Sequence, residues 1–224
     1  MSNIKSLLSL LLVSLSIGLQ AQTELVLERV EGLASNDRIQ DIEVEKNRVW
    51  IASKDGLYVF DNNSNNLSQI TDHDNALAVK VSDKGSIFSA YNDKTLFYNE
   101  DNLIDIETNF KKFAGKNFEF SDIEIYKNEL WVGSNHGIFI FNLKTKKLVQ
   151  TYTKDNSSLR SNNVSFITYS TNNNSLWIGT DDGAIELTDR HKKWKTEYKG
   201  HRMIASTENI DGCLLYTSPS PRDS

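Results

Sequence analysis

Four carboxylates in this chain are spaced so that they could act together. Asp41 and Glu43 lie two residues apart, as do Asp122 and Glu124, each pair inside an alternating stretch ending at Val44 or Tyr126. Residues two apart on a strand share a face. Each pair should therefore project together, opposite Ile42 and Val44 in one stretch and Ile123 and Ile125 in the other. Paired carboxylates can serve as acid and base on a glycosidic bond. Here the pairs belong to separate strands, so the sequence gives no distance between them. The simpler expectation is a solvated strand face.

Other chemistry is thinly supplied. His73, His136, His191 and His201 occur singly, none at the spacing of a metal pair. His136 stands in a tight turn where related phrases carry Asp55 and Asp182, and turn chemistry accounts for it. No serine sits in a nucleophile elbow, and no Gly-rich phosphate loop occurs. The run Asp61 to Asn66, followed by Asp72, loosely spaces oxygen donors as a calcium loop does, but it lacks the glycine and the bidentate glutamate. An Asn-rich turn is expected there. No catalytic residue, cofactor or metal ligand is expected, and the sequence names no ligand-contact residue.

The elements that must carry these residues are visible as repeats. Val49–Asp61 reads VWIASKDGLYVFD, Leu130–Asn142 reads LWVGSNHGIFIFN and Leu176–Thr188 reads LWIGTDDGAIELT. A worn copy, IFSAYNDKTLFYN, lies at Ile87–Asn99. The aromatics Trp50, Phe88, Trp131 and Trp177 are 38, 43 and 46 residues apart. A period near forty implies stacked units that cannot bury their apolar faces alone. Each unit parses as four short antiparallel strands, and Gly56, Gly137 and Gly183 close the reversal between the second and third. The expected fold is all-β, a β-propeller of four-stranded antiparallel blades. About four blades and the start of a fifth are present, so the ring is incomplete. The repeated aromatics are expected to fill the space between blades. Ala52, Gly133 and Gly179 follow them where a facing sheet could approach closely. Lys94 replaces the glycine of the second repeat, so a distorted hairpin is expected there.

Residues 1–21 carry Lys5, an apolar run from Leu7 to Leu19 and Ala21, the pattern of a secretory signal peptide. Residues 22–212 form the partial propeller, with blades at about 36–71, 75–107, 118–152 and 161–198 and the next beginning at 203–212. Residues 23–30 read as an outer strand of the kind propellers use to close their ring. Residues 213–224 hold the only cysteine, Cys213, and both prolines, and resemble a translated sequencing adapter; they are expected to lie outside the fold. Discarding both ends removes Lys5 while Arg222 and Asp223 cancel, taking the net charge from −5 to −6. That acidity argues against nucleic acid or an anionic membrane as a partner. Without Cys213 there is no disulfide framework.

The phrases LWIGTDDG and LWVGSNHG, and the opening EGLASNDRIQDI, resemble the two-component-regulator propeller repeat over Thr23–Gly212. The resemblance implies the periplasmic sensor region of hybrid histidine kinases of Bacteroidetes-type bacteria, often tuned to polysaccharide fragments. It implies an exported protein, non-catalytic over this stretch, whose partner is an extracellular ligand such as an oligosaccharide. A membrane span, a kinase and dimerisation would belong to a longer protein. The alternatives are a secreted scaffold with the same propeller and, less favoured, a propeller-fold lyase or glycosidase. Fold alone does not choose among these. Ligand contacts are expected in turns before the first strands, at Ser35–Arg38, Asp72–Asn75 and Ser161–Asn163, or in the axial channel.

Overall fold

A computed structural model describes residues 38–71, 75–91, 94–99, 102–107, 117–188, 193–197, 199–200, 202–203, 205–208 and 214–217. The proposed signal peptide, the outer strand at 23–30, His73, His191, His201 and Asp72 lie outside them. Blade 1 comprises β1 (Ile39–Glu45), β2 (Arg48–Ser53), β3 (Gly56–Asp61) and β4 (Asn66–Thr71). Blade 2 comprises β5 (Ala76–Val81), β6 (Ile87–Tyr91), β7 (Lys94–Asn99) and β8 (Asn102–Glu107). Blade 3 comprises β9 (Phe120–Tyr126), β10 (Glu129–Ser134), β11 (Gly137–Asn142) and β12 (Leu148–Tyr152). Blade 4 comprises β13 (Val164–Ser170), β14 (Ser175–Thr180), β15 (Gly183–Thr188) and β16 (Lys193–Glu197). Each is a four-stranded antiparallel meander. The first strands pack in chain order, β1 on β5, β5 on β9, β9 on β13 and β13 on β17 (Ala205–Glu208).

The cores lie between blades rather than within them. Trp50, Ala52 and Leu57 of blade 1 pack with Ala76, Val79 and Ile87 of blade 2. Ala78, Phe88 and Ala90 of blade 2 meet Phe120, Ile123, Val132 and Phe139 of blade 3. Trp131 and Ile140 of blade 3 join Ile167, Ile178 and Leu187 of blade 4. Trp177 packs against the cluster of Phe166, Ala184 and Met203, which reaches into the next unit. Every repeated aromatic thus turns toward the following blade, where large rings remove the most apolar surface from water. A Cβ on Gly133 would crowd Val164 of the next blade, so the small residue after Trp131 lets the two sheets meet.

One turn recurs. Ser53 Oγ donates to the Gly56 carbonyl at 3.0 Å and accepts the Asp55 N–H at 3.2 Å. Ser134 repeats this with Gly137 and His136, and Thr180 with Gly183 and Asp182. Gly56, Gly137 and Gly183 have φ of 129°, 102° and 125°. A Cβ on Gly56 or Gly137 would overlap the carbonyl of Thr71 or Tyr152, the last residue of the adjoining fourth strand. Glycine is therefore required twice over, by backbone angle and by space.

One expectation is corrected. The second hairpin is not distorted in register: Tyr91 pairs with Lys94 as Ser53 pairs with Gly56, and the β6–β7 ladder runs without a shift. Within the segment read as a sequencing adapter, the described residues Leu214–Thr217 form a strand, β18, paired with β17.

Candidate functional site

The first strands share an irregularity that aims their side chains. A register shift occurs in each: between Ile39 and Asp41, Ala76 and Ala78, Phe120 and Asp122, and Val164 and Phe166. Such a bulge leaves one residue unpaired and bends the strand locally. Asp41 and Asp122 come directly after theirs.

Both aspartates bond backbone in two places. Asp41 accepts the Ile42 N–H at 2.8 Å and, across the blade boundary, the Val79 N–H at 2.9 Å. Asp122 accepts the Ile123 N–H at 2.8 Å and the Ile167 N–H of blade 4 at 2.8 Å. Glu124 takes the Ile125 and Tyr169 N–H groups at 2.8 and 3.2 Å. The expected solvated face is thus corrected: these carboxylates face the next blade, and Glu124 is buried. On β1 it is Ile42 and Val44 that are exposed, at 37 and 67%. Alternation in a sequence separates two faces, but in stacked sheets both faces meet protein, and it does not say which neighbour each will meet.

The structure brings all four carboxylates around Lys80, which sequence reasoning missed. Its ammonium is 3.2 Å from Glu43 and 3.6 Å from Glu124, bridging blades 1 and 3 from blade 2. The signal was present, because Lys80 occupies the repeat position held elsewhere by Glu43 and Glu124. Burial works against its charge, but Glu124, Glu43 and Asp122 outweigh it and raise its pKa above the ordinary lysine value. Burial pushes Asp122 up to about 8, against the Ile167 N–H and Lys80, which favour the charged form. Burial raises Asp41, Glu43 and Glu124 as well. This arrangement ties inner strands together by charge-assisted hydrogen bonds.

The remaining sequence candidates are occupied by turns. Asp61 accepts the Asn63 and Ser64 N–H groups at 2.8 and 3.2 Å, which lowers its pKa, and Asn142 does the same for Lys144 and Thr145. His136 Nδ1 lies 2.6 Å from Asn135 Oδ1 within its own hairpin. At Ser161–Asn163, Ser161 Oγ accepts the Asn163 N–H and Asn162 Oδ1 accepts the Lys154 N–H. The turns before first strands and the β2–β3-type reversals gather at one end of the blades, joined by backbone bonds such as Asn75 N–H to the Lys54 carbonyl at 2.6 Å. At that end a pocket of about 380 Å³ is lined by Arg38, Gln40, Lys54 and Asn75. Arg38 and Asn75 belong to turns singled out from the sequence; Gln40 and Lys54 do not.

No family profile and no curated protein matches the chain. Solved structures do. An extracellular domain assigned to the hybrid two-component system BT4673 of B. thetaiotaomicron superposes with a TM-score of 0.62 at 15% identity, over 80% of this chain and 25% of that one. The corresponding domain of BT3049 gives 0.56 at 16% identity, over 82 and 32%. A chain of a nidogen/laminin complex gives 0.60 at 12% identity, over 80 and 72%. The fold is an incomplete β-propeller. The chain spans a quarter to a third of the length of the two B. thetaiotaomicron structures. In propeller terms the bulged strands β1, β5, β9 and β13 are the innermost of their blades, so the Lys80 cluster belongs to the axial side.

Proposed function

We propose that this chain is the N-terminal part of an extracytoplasmic propeller sensor that binds a glycan fragment without turning it over, within a two-component signalling protein. The observation that carries the reading is the shared fold with two extracellular domains assigned to hybrid two-component systems. The leader-like pattern of residues 1–21 agrees with export. The end of the propeller where inter-blade turns converge offers a pocket walled by polar side chains, the kind of surface on which binding residues concentrate. In this reading the inner carboxylates hold blades together and do not attack the ligand.

Calorimetry of the exported gene product against a panel of neutral and acidic oligosaccharides, with chromatography of the products, tests the proposal. Saturable binding with the sugars recovered intact is expected. Cleavage would move the protein to the enzymes, and silence across the panel would favour a scaffold that binds other proteins. N-terminal sequencing of the exported protein should begin at Gln22.

A further inference from the structure

The pocket at the turn end is built on a frame that every fully described blade repeats, and this permits a comparison inside one molecule. In blade 1 the Lys54 N–H donates to the Arg38 carbonyl at 2.9 Å. In blade 3 the equivalent bond joins Asn135 to Glu119 at 3.1 Å, and in blade 4 it joins Asp181 to Asn163 at 3.3 Å. The backbone arrangement is the same, so the fold places no demand on the side chains at these two positions.

Their chemistry differs in a directed way. In blade 3 the Asn135 side chain is spent on the segment before β9, accepting the Glu119 N–H and donating to the Asn117 carbonyl. In blade 4 Asn163 donates to Asp181 at 3.4 Å. Blade 1 alone of the three places two cations at this pair of positions. Neither the Arg38 guanidinium nor the Lys54 ammonium has a hydrogen bond or ion pair among the described residues. Both line the same pocket, with the amides of Gln40 and Asn75 completing the described wall; Asp55, next to Lys54 in sequence, is not part of it. Two positive charges with no counter-ion among the described residues repel each other across one small concavity, in a protein whose net charge is −5. An oxyanion between them would relieve that repulsion, and the guanidinium fork and amide donors suit its geometry.

We propose that Arg38 and Lys54 form a subsite for the negative group of an acidic sugar, a carboxylate or a sulfate. The inference rests on the glycan-binding reading above and deepens it. Gln40 and Asn75 would orient the sugar through their amides, and the Asn75–Lys54 backbone bond would hold the two sides of the pocket at fixed separation.

The test is calorimetric titration of the exported protein with digalacturonate, a sulfated galactobiose and neutral galactobiose. The variants are Arg38→Ala, Lys54→Ala and, on a β9–β10 turn at the other end of the blade, Lys127→Ala. Both pocket residues are exposed, so unchanged melting temperatures should show that the variants fold. At least one acidic sugar should bind more tightly than galactobiose, with an affinity that falls as salt is raised. Arg38→Ala and Lys54→Ala should each weaken it about tenfold or more, the size of a charge-assisted bond, while Lys127→Ala leaves it unchanged. The preferred acidic sugar separates a carboxylate site from a sulfate site. Equal binding of all three, indifferent to Arg38 and Lys54, overturns the subsite and leaves the glycan reading standing. Binding of none overturns both. Cleavage of an acidic sugar sinks only the non-catalytic reading, and the subsite then stands if the two variants raise KM with kcat unchanged.

Discussion

At the residue scale, the glycines and the inner aspartates meet opposite demands. Gly137 has a positive φ, and a Cβ there would overlap the Tyr152 carbonyl. Gly137→Ala should therefore destabilise the protein by about 1–3 kcal/mol in urea unfolding, the usual cost of a strained backbone. Asp122 responds to pH. Its carboxyl releases a proton at 3.8 when unfolded but only at about 8 when folded. Between those values the folded state holds more protons, so stability falls as pH rises. The contribution is complete below the unfolded value and gone above the folded one. Asp41, Glu43 and Glu124 shift in the same direction and reinforce the trend. The melting temperature should decline from pH 5 to pH 8, and Asp122→Asn, which keeps an acceptor for the Ile167 N–H, should flatten the decline. A profile identical to that of the parent would show that Asp122 is ionised throughout.

At the element scale, the bulged first strands act as a set, with Lys80 a cation shared by three of them. Lys80→Met should cost about 1–3 kcal/mol, less than a fully buried pair because the lysine keeps 25% of its side-chain surface. A double-mutant cycle with Glu43→Gln should return a coupling of about 1 kcal/mol, and no coupling would mean that the bridge to Glu124 carries the effect alone. Much of this level was legible. Alternation and Gly-closed reversals disclosed the strands, because a two-residue hairpin leaves few choices of residue. The partners of Asp41 and Asp122 were not legible, since a side chain that caps a backbone N–H needs no particular residue type opposite it. Nor was the basic pair, because Arg38 and Lys54 are sixteen residues apart and meet only when a hairpin folds back.

At the scale of the molecule, the blades are joined by unlike boundaries. Asp41 ties blade 1 to blade 2, and Asp122 and Glu124 tie blade 3 to blade 4, while Ala78 and Phe166 hold the aspartate position in blades 2 and 4. Blades 2 and 3 share the Phe88 cluster and the Lys80 bridge to Glu124. Hydrogen exchange should accordingly protect the Val79, Ile167 and Tyr169 amides, whose acceptors come from another blade, more strongly than the Ile123 amide, whose acceptor is the side chain of its sequence neighbour Asp122. Ile42 and Val44 look outward from blade 1, on the side where a ring-closing blade would sit. Val44→Ser should be nearly neutral in a four-blade piece and should destabilise a closed ring by about 1–2 kcal/mol. Equal effects on the two would mean that this face stays wet after closure. The repeat period told how many units to expect, but the order of strong and weak boundaries depends on single residues within otherwise similar phrases.

The inner strands are also the outermost members of their own sheets, and such strands carry unpaired N–H groups that invite a foreign strand to dock. At Val79, Ile167 and Tyr169 a side-chain oxygen of Asp41, Asp122 or Glu124 from the preceding blade already occupies the donor. With those donors occupied, the axial acids are expected to hinder β-addition by another chain. Their loss would reveal itself less in the melting curve than in the test tube, as self-association of a protein that is still folded.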